Sequence, residues 1–162
     1  MAKTDPDLSV TPALLDRLID LEPDVAAAPP VSRSQSVRQL KAALRRDLEW
    51  LLNTRRIPEE VPESYQELHR SLYNYGLPDV TSMSLNSPRD RQRLLRLVEQ
   101  TITIFEPRLT AVRVRALESK DSGPRMLRFQ IDALLKMDPA PEQVLFDTLL
   151  QLNSGEYQVK SE

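Results

Sequence analysis

The hydrophobic period of this chain switches at one place, the tripeptide Glu106-Pro107-Arg108. Before it, Leu94, Val98, Thr101, Ile102 and Phe105 recur at the spacing of a helix face. After it, Leu109-Thr110-Ala111-Val112-Arg113-Val114-Arg115 follows the two-residue period of a strand. Proline lacks a backbone donor and clashes with the preceding turn, so the helix has to stop near Phe105. One acid and one base are thereby set at a helix-to-strand corner, between apolar Phe105 and Leu109. Such a corner serves as a structural clamp or as a docking point for a partner, and the residues alone leave both open.

Downstream of the corner the strand period persists. Val112, Val114 and Ala116 share one face, with Arg113 and Arg115 on the other. Leu127, Phe129, Ile131 and Ala133 alternate with Arg128, Gln130 and Asp132. Val144, Phe146, Thr148, Leu150 and Leu152 form a third run, and residues 156–159 a brief fourth. Turn residues separate the runs at 120–124, 137–141 and 153–155. Short connections predict antiparallel neighbours. The apolar face of such a sheet needs cover, and the preceding helices supply it. The expected fold is α+β, with N-terminal helices packed on one face of a C-terminal antiparallel β-sheet.

Upstream, residues 11–20 read as a short helix with Thr11 as cap, Pro12 in the first turn, and Leu14, Leu15, Leu18 and Ile19 on one stripe. A helix this short needs a surface to lie on, in its own domain or in a partner's groove. Residues 22–34, rich in Pro, Ala and Ser, read as a linker. The expected organisation is therefore a helix-plus-linker segment over 1–33 and one domain over 34–162. Ser36 with Gln39 makes a capping-box pattern for the next helix, whose Val37, Leu40, Leu44, Leu48, Leu51 and Leu52 form a stripe. Trp50 lies roughly 140° from the centre of that stripe, which makes it a second core layer or an interface anchor. Residues 63–75 predict a helix with Tyr65, Leu68 and Leu72 on one face, ended by Gly76 and Pro78. Thr81 to Asn86 predicts a loop, and Ser87-Pro88-Arg89-Asp90 opens the helix that runs to Phe105.

Chemistry-bearing patterns are few. There is no cysteine, which excludes thiolate metal sites and disulfides and fits a reducing compartment. The three glycines, Gly76, Gly123 and Gly155, stand apart at turns, so no loop can cradle a phosphate. His69 is the single histidine and has no ligand-type neighbours. No apolar run reaches the roughly 20 residues of a membrane span, and no apolar signal core follows Met1. A cytoplasmic protein without cofactor or metal is expected, with no direct membrane insertion. Arg45-Arg46, Arg55-Arg56 and Arg89-Asp90-Arg91-Gln92-Arg93 lie among acids in a chain of net charge -2, so they read as solvated helix faces and no nucleic-acid partner is expected. Glu59, Glu60, Glu63, Asp79 and Glu106 supply carboxylates in number, but with 28% charged residues such a number is ordinary.

Several stretches taken in order carry a resemblance. They are Leu14-Leu15-Asp16-Arg17-Leu18, Asp47-Leu48-Glu49-Trp50-Leu51-Leu52-Asn53-Thr54-Arg55-Arg56, Ser71-Leu72-Tyr73-Asn74-Tyr75-Gly76-Leu77-Pro78-Asp79, Phe105-Glu106-Pro107-Arg108-Leu109 and Ser154-Gly155-Glu156-Tyr157. Together they span nearly the whole chain. The chain resembles the phage-tail baseplate wedge proteins once labelled lysozyme-like, the family of the TssE baseplate subunits of bacterial type VI secretion systems. The resemblance implies a structural, non-catalytic protein in a membrane-docked baseplate, beside the wedge proteins TssF, TssG and TssK. It also implies a template for assembly of the contractile TssB–TssC sheath. In that family the Glu-Pro-Arg motif is needed for baseplate assembly, which points to Glu106, Pro107 and Arg108.

Sheath assembly by strand exchange requires an exposed sheet edge. The terminal strand, with Tyr157, Gln158 and Val159, is the expected docking edge. Trp50, Leu14, Leu15 and Leu18 are the expected interface anchors. The alternatives are an anti-adaptor of a proteolysis adaptor, as in the related IraD protein, and a peptidoglycan hydrolase. For Arg108 the expectation is enclosure, in the fold or at the wedge interface.

Overall fold

The computed structural model describes residues 12–19, 32–117, 126–151 and 154–161. The order is α1 (Leu14–Leu18), α2 (Arg33–Asn53), α3 (Gln66–His69), a 3-10 turn (Leu72–Asn74), α4 (Pro88–Phe105), then strands β1 (Leu109–Ala116), β2 (Met126–Leu135), β3 (Glu142–Gln151) and β4 (Glu156–Ser161). The strands form one antiparallel sheet in the order β1-β2-β3-β4. The fold is α+β, with helices in the N-terminal half and the sheet at the C-terminus.

The core lies between the sheet and the two long helices. From α2 it takes Leu40, Leu44, Leu48, Leu51 and Leu52, and from α4 Leu94, Val98 and Ile102. The sheet contributes Leu127, Phe129, Ile131, Ala133 and Leu135 from β2, Val144, Phe146 and Leu150 from β3, and Tyr157 and Val159 from β4. α4 begins as its sequence dictates: the Ser87 hydroxyl accepts from the Asp90 N–H and Pro88 stands in the first turn.

Four expectations are corrected. The capping box of α2 is Ser32 with Gln35, one turn before Ser36 and Gln39. The same pattern occurs twice, and the later serine is instead buried, its hydroxyl donating to the Ser32 carbonyl. Within the described residues α1 covers only Leu14–Leu18, with Ala13 at its cap position and no side-chain capping bond. The Thr11 cap, most of the linker, the turn at 120–124 and Leu152 lie outside the described residues. Residues 63–75 do not form one helix: they divide into α3 and the 3-10 turn, and Leu72 is 85% exposed. The apolar spacing there, Tyr65, Leu68 and Leu72, covers only about two turns, too little to propagate a helix on its own. Trp50 is not a second core layer; it is 54% exposed, with the Arg46 guanidinium 5.0 Å from its ring centroid.

The first strand departs from strict alternation. Leu109 and Val112 are both buried although three positions apart. A bulge between Thr110 and Arg113, with Ala111 at φ 52°, inserts the extra residue that returns both side chains to the core face.

Both sheet edges are covered by helix side chains. On β4, the Tyr157 N–H donates to Asn53 Oδ1 at 2.8 Å, and the Tyr157 carbonyl accepts from Asn53 Nδ2 at 2.9 Å. Arg45 Nη1 donates to the Val159 carbonyl at 3.4 Å. On β1, the Val114 N–H donates to Glu99 Oε2 at 3.0 Å. Each contact satisfies a backbone group that would otherwise face outward unpaired.

Tyr157 packs edge-on against Phe129 and is 2% exposed, yet its hydroxyl is buried without a hydrogen-bond partner. Burial pushes its phenol well above the ordinary range. A phenol raised in the folded state stabilises fully below the unfolded value near ~10 and loses that contribution as pH rises beyond it, at about 1.4 kcal/mol per pH unit. Tyr157→Phe removes an unsatisfied hydroxyl and is expected to raise stability by about 1 kcal/mol at neutral pH in urea unfolding. The variant is also expected to show a shallower loss of stability above pH ~10 than the parent.

Candidate functional site

Glu106 caps α4 at its carboxyl end, with its N–H donating to the Ile102 carbonyl, and Arg108 immediately precedes β1. Pro107 between them turns the chain so that both side chains fall on the same side. Arg108 Nε donates to Glu106 Oε1 at 2.7 Å and Nη2 donates to Oε2 at 2.6 Å. The Arg108 N–H adds a third bond to Oε1 at 3.2 Å. This fork matches the planar geometry of a carboxylate at both oxygens. Glu106 is 6% exposed, so its charge is buried against its partner.

The pair does not stand alone. Arg108 Nη2 also donates to Asp47 Oδ2 of α2 at 2.6 Å. The other oxygen of Asp47 accepts from Arg46 Nε at 3.0 Å and Nη2 at 2.8 Å. Arg46 Nη2 continues to Asp16 of α1 at 2.9 Å. The result is an alternating chain, Glu106–Arg108–Asp47–Arg46–Asp16, that ties the α4–β1 corner to α2 and α2 to α1. Lys136 closes the corner from β2's end: its Nζ donates to the Pro107 carbonyl at 2.7 Å and its N–H to the Arg108 carbonyl at 2.8 Å.

The electrostatics follow the geometry. The Arg108 guanidinium is raised well above its ordinary range, chiefly by its hydrogen bonds to Glu106, with Asp47 adding to the effect against the cost of burial. Arg46 is raised too, first by Asp47 and then, less strongly, by Asp16. Tyr75, packed edge-on against Phe105 at 5.5 Å, has its phenol raised by burial and then by the Asp47 and Glu106 charges.

α1 is fastened by its polar residue, and its apolar residues face out. Leu14 is 70% exposed, Leu18 73% and Leu15 44%. Trp50, beneath the Arg46 guanidinium, belongs to the same neighbourhood as Asp16 through that arginine. Arg46 thus lies over Trp50 and, through Asp16, holds α1. Tyr157, Gln158 and Val159 do lie on an edge strand. The outward groups of Tyr157 are taken by Asn53, while Gln158 sits opposite Leu149 of β3.

Sequence reasoning did not single out four of the site residues: Asp16, Asp47 and Asn53 entered it only within quoted stretches, and Arg46 only as part of a solvated helix face. Asp47 and Asn53 lie within the quoted stretch 47–56, but their partners are 61 and 104 positions away, so no local pattern links either to its partner. Three of the other four quoted stretches meet this one, and the fourth, in α1, meets the adjacent Arg46. Leu77 N–H donates to the Thr54 carbonyl at 2.8 Å and Arg56 N–H to the Leu77 carbonyl at 3.0 Å. Gly76, at φ 99°, lets the Thr54 carbonyl come within 2.2 Å of where a Cβ would stand.

The family model for baseplate wedge protein gp25 matches residues 38–140, from α2 through β2, and so includes Asp47, Glu106 and Arg108. The chain belongs to the gp25 family. TssE proteins belong to this family as well, and membership makes the chain a component of phage-tail-like baseplates. Comparison with curated proteins and with solved structures gave no match. Among the described residues, no helix is long and apolar enough to cross a membrane. In this gp25-family chain the Glu-Pro-Arg corner is an internal brace: Arg108 holds both Glu106 oxygens and reaches Asp47 of α2 through Nη2.

Arg108→Ala leaves the buried Glu106 carboxylate without its counter-ion and is expected to cost about 3 kcal/mol in urea unfolding. Arg108→Lys, which offers a point charge in place of a planar fork, is expected to recover less than half of that loss.

Proposed function

We propose that the protein is a structural component of the baseplate wedge of a bacterial type VI secretion system, held by TssF, TssG and TssK. The observation that carries this reading is the outward apolar face of α1, kept in place by Asp16 and Arg46 at the end of the Glu106–Arg108–Asp47 chain. Leu14, Leu15, Leu18 and Ile19 are all exposed on one short helix and its C-cap, and an apolar patch of that kind supports an interaction surface. The gp25 family supplies the kind of surface, a baseplate neighbour. In this reading the motif acts at one remove: the corner aligns α2, α2 aligns α1, and α1 and Trp50 meet the wedge.

The second half of the proposal is that β4 templates the TssB–TssC sheath by accepting a strand. Its position at the sheet edge and its short length support that role. An arriving strand has to take over the Tyr157 backbone groups from Asn53, so Asn53 holds the edge until the sheath strand replaces it. The protein is proposed to act in the cytoplasm on a membrane-docked baseplate, without catalysing a reaction. A glycosidase needs two carboxylates free to face a sugar across a cleft, and Glu106 has neither oxygen free.

Leu14→Glu with Leu18→Glu is expected to abolish co-purification with TssF–TssG–TssK and leave the melting temperature within about 2 °C of the parent, because both side chains are exposed. Arg108→Ala is expected to lose wedge binding and stability together. Unimpaired wedge binding by the leucine variant would overturn the reading. Purified protein is expected to leave a peptidoglycan suspension turbid; clearing that vanishes on a Glu→Gln change would make the protein a hydrolase.

A further inference from the structure

α4 presents a second face that neither the core nor the charge chain uses. Its inner positions, Leu94, Val98, Thr101 and Ile102, are buried. Arg89, Arg93 and Arg96 lie on the opposite side, all exposed, and Gln100 continues their line. At about 100° per residue these four positions fall within an arc of about 60°. Together with Gln92 and Leu97 they line a shallow groove of about 650 Å³ along the helix. Among the described residues, the salt bridges engage Arg46, Arg108, Arg113 and Lys41 but none of these three arginines. Glu99, on the same helix, is committed to Arg113 and to the Val114 N–H. Asp90, at the groove's N-terminal end, is committed to the Ser84 N–H.

We infer that this face of α4 is a docking surface for an acidic α-helix of a protein partner. Three guanidinium groups one turn apart repel one another, and a matching row of carboxylates reverses the sign of that interaction. The spacing selects the partner's form. Arg89 to Arg93 is a rise of about 6 Å and Arg93 to Arg96 about 4.5 Å, the separations of residues four and three apart on any helix. A helix laid alongside α4 with Asp or Glu at i, i+4 and i+7 therefore sets one carboxylate opposite each arginine. Arginine's planar fork grips each carboxylate through paired hydrogen bonds, while Gln92 offers an amide on the flank and Gln100 one at the end of the row. Nucleic acid fits less well. The row is only about 10 Å long, too short to neutralise more than a few phosphates, and the chain carries a net charge of -2.

The surface is independent of the wedge reading, because it lies on the face of α4 away from the core and uses none of the residues of the charge chain. The test is fluorescence anisotropy with the full-length protein and three probes. One is a helical peptide of about 20 residues with Glu at i, i+4 and i+7 on one face; another has the same composition in shuffled order; the last is a DNA duplex of about 20 base pairs. The ordered peptide is expected to bind about tenfold tighter than the shuffled one and to weaken as salt is raised. Arg93→Gln with Arg96→Gln is expected to erase that preference and to melt with the parent, since both side chains are exposed. Equal binding of the two peptides, an unchanged preference in the double variant, or tighter binding of the DNA duplex would each overturn the inference.

Discussion

Arg108 is the residue on which the arrangement of the layers depends. Its guanidinium spans two carboxylates that belong to different elements, Glu106 at the end of α4 and Asp47 in the middle of α2. Apolar packing between helices and sheet is strong but not directional, and it tolerates small rotations of a helix about its own axis. A planar cation with fixed donor directions does not. The fork therefore sets the rotation of α2 relative to the corner. Because α2 carries Arg46 on the next position, it also sets where α1 is held. Three acids, Asp16, Asp47 and Glu106, share two arginines along this chain, so the loss of either arginine leaves like charges facing one another.

Residues 47–56 are the junction through which distant parts of the chain communicate. Asp47 meets the Glu-Pro-Arg corner, and Asn53 meets Tyr157. Thr54 and Arg56 hold Leu77, and Gly76 permits that approach. The segments that bear the family resemblance are thus contact partners inside one molecule. They converge on the second half of α2 and on backbone groups, and so tie the corner, the Leu77 loop and β4 to one helix.

Two kinds of surface result. One is apolar, carried by α1 and Trp50 and positioned by the charge chain. The other is the sheet edge, which is covered from within. Asn53 resembles a strand in miniature: its amide offers one acceptor and one donor to Tyr157, as a neighbouring residue of a ladder would. Glu99 does half of the same work on β1. Covered edges keep an isolated subunit from pairing with copies of itself. On β4 that cover comes from two side chains, Asn53 and Arg45, and not from a paired strand.

Much of this was legible in the sequence, and the division has a physical basis. Period, caps and breakers act over a few residues, so the sequence by itself determined the helix from Ser87 to Phe105, the stop at Pro107, the alternation of β2 and β3 and the inward stripe of α2. It failed over 63–75, where about two turns of spacing suggest one continuous helix, and at Ser36, where a repeated capping pattern left two equivalent starts. The tertiary structure alone decided what lies across the fold. Arg108 and Asp47 are 61 positions apart and Asn53 and Tyr157 are 104, and a hydrogen bond over such a distance depends on how the layers are stacked. The bulge at Ala111 is of the same kind, since an extra residue in a strand is meaningful only against the partner strand and the core it turns toward. Local rules of backbone conformation wrote the elements; the pairing of buried charge and of edge backbone groups chose how they meet.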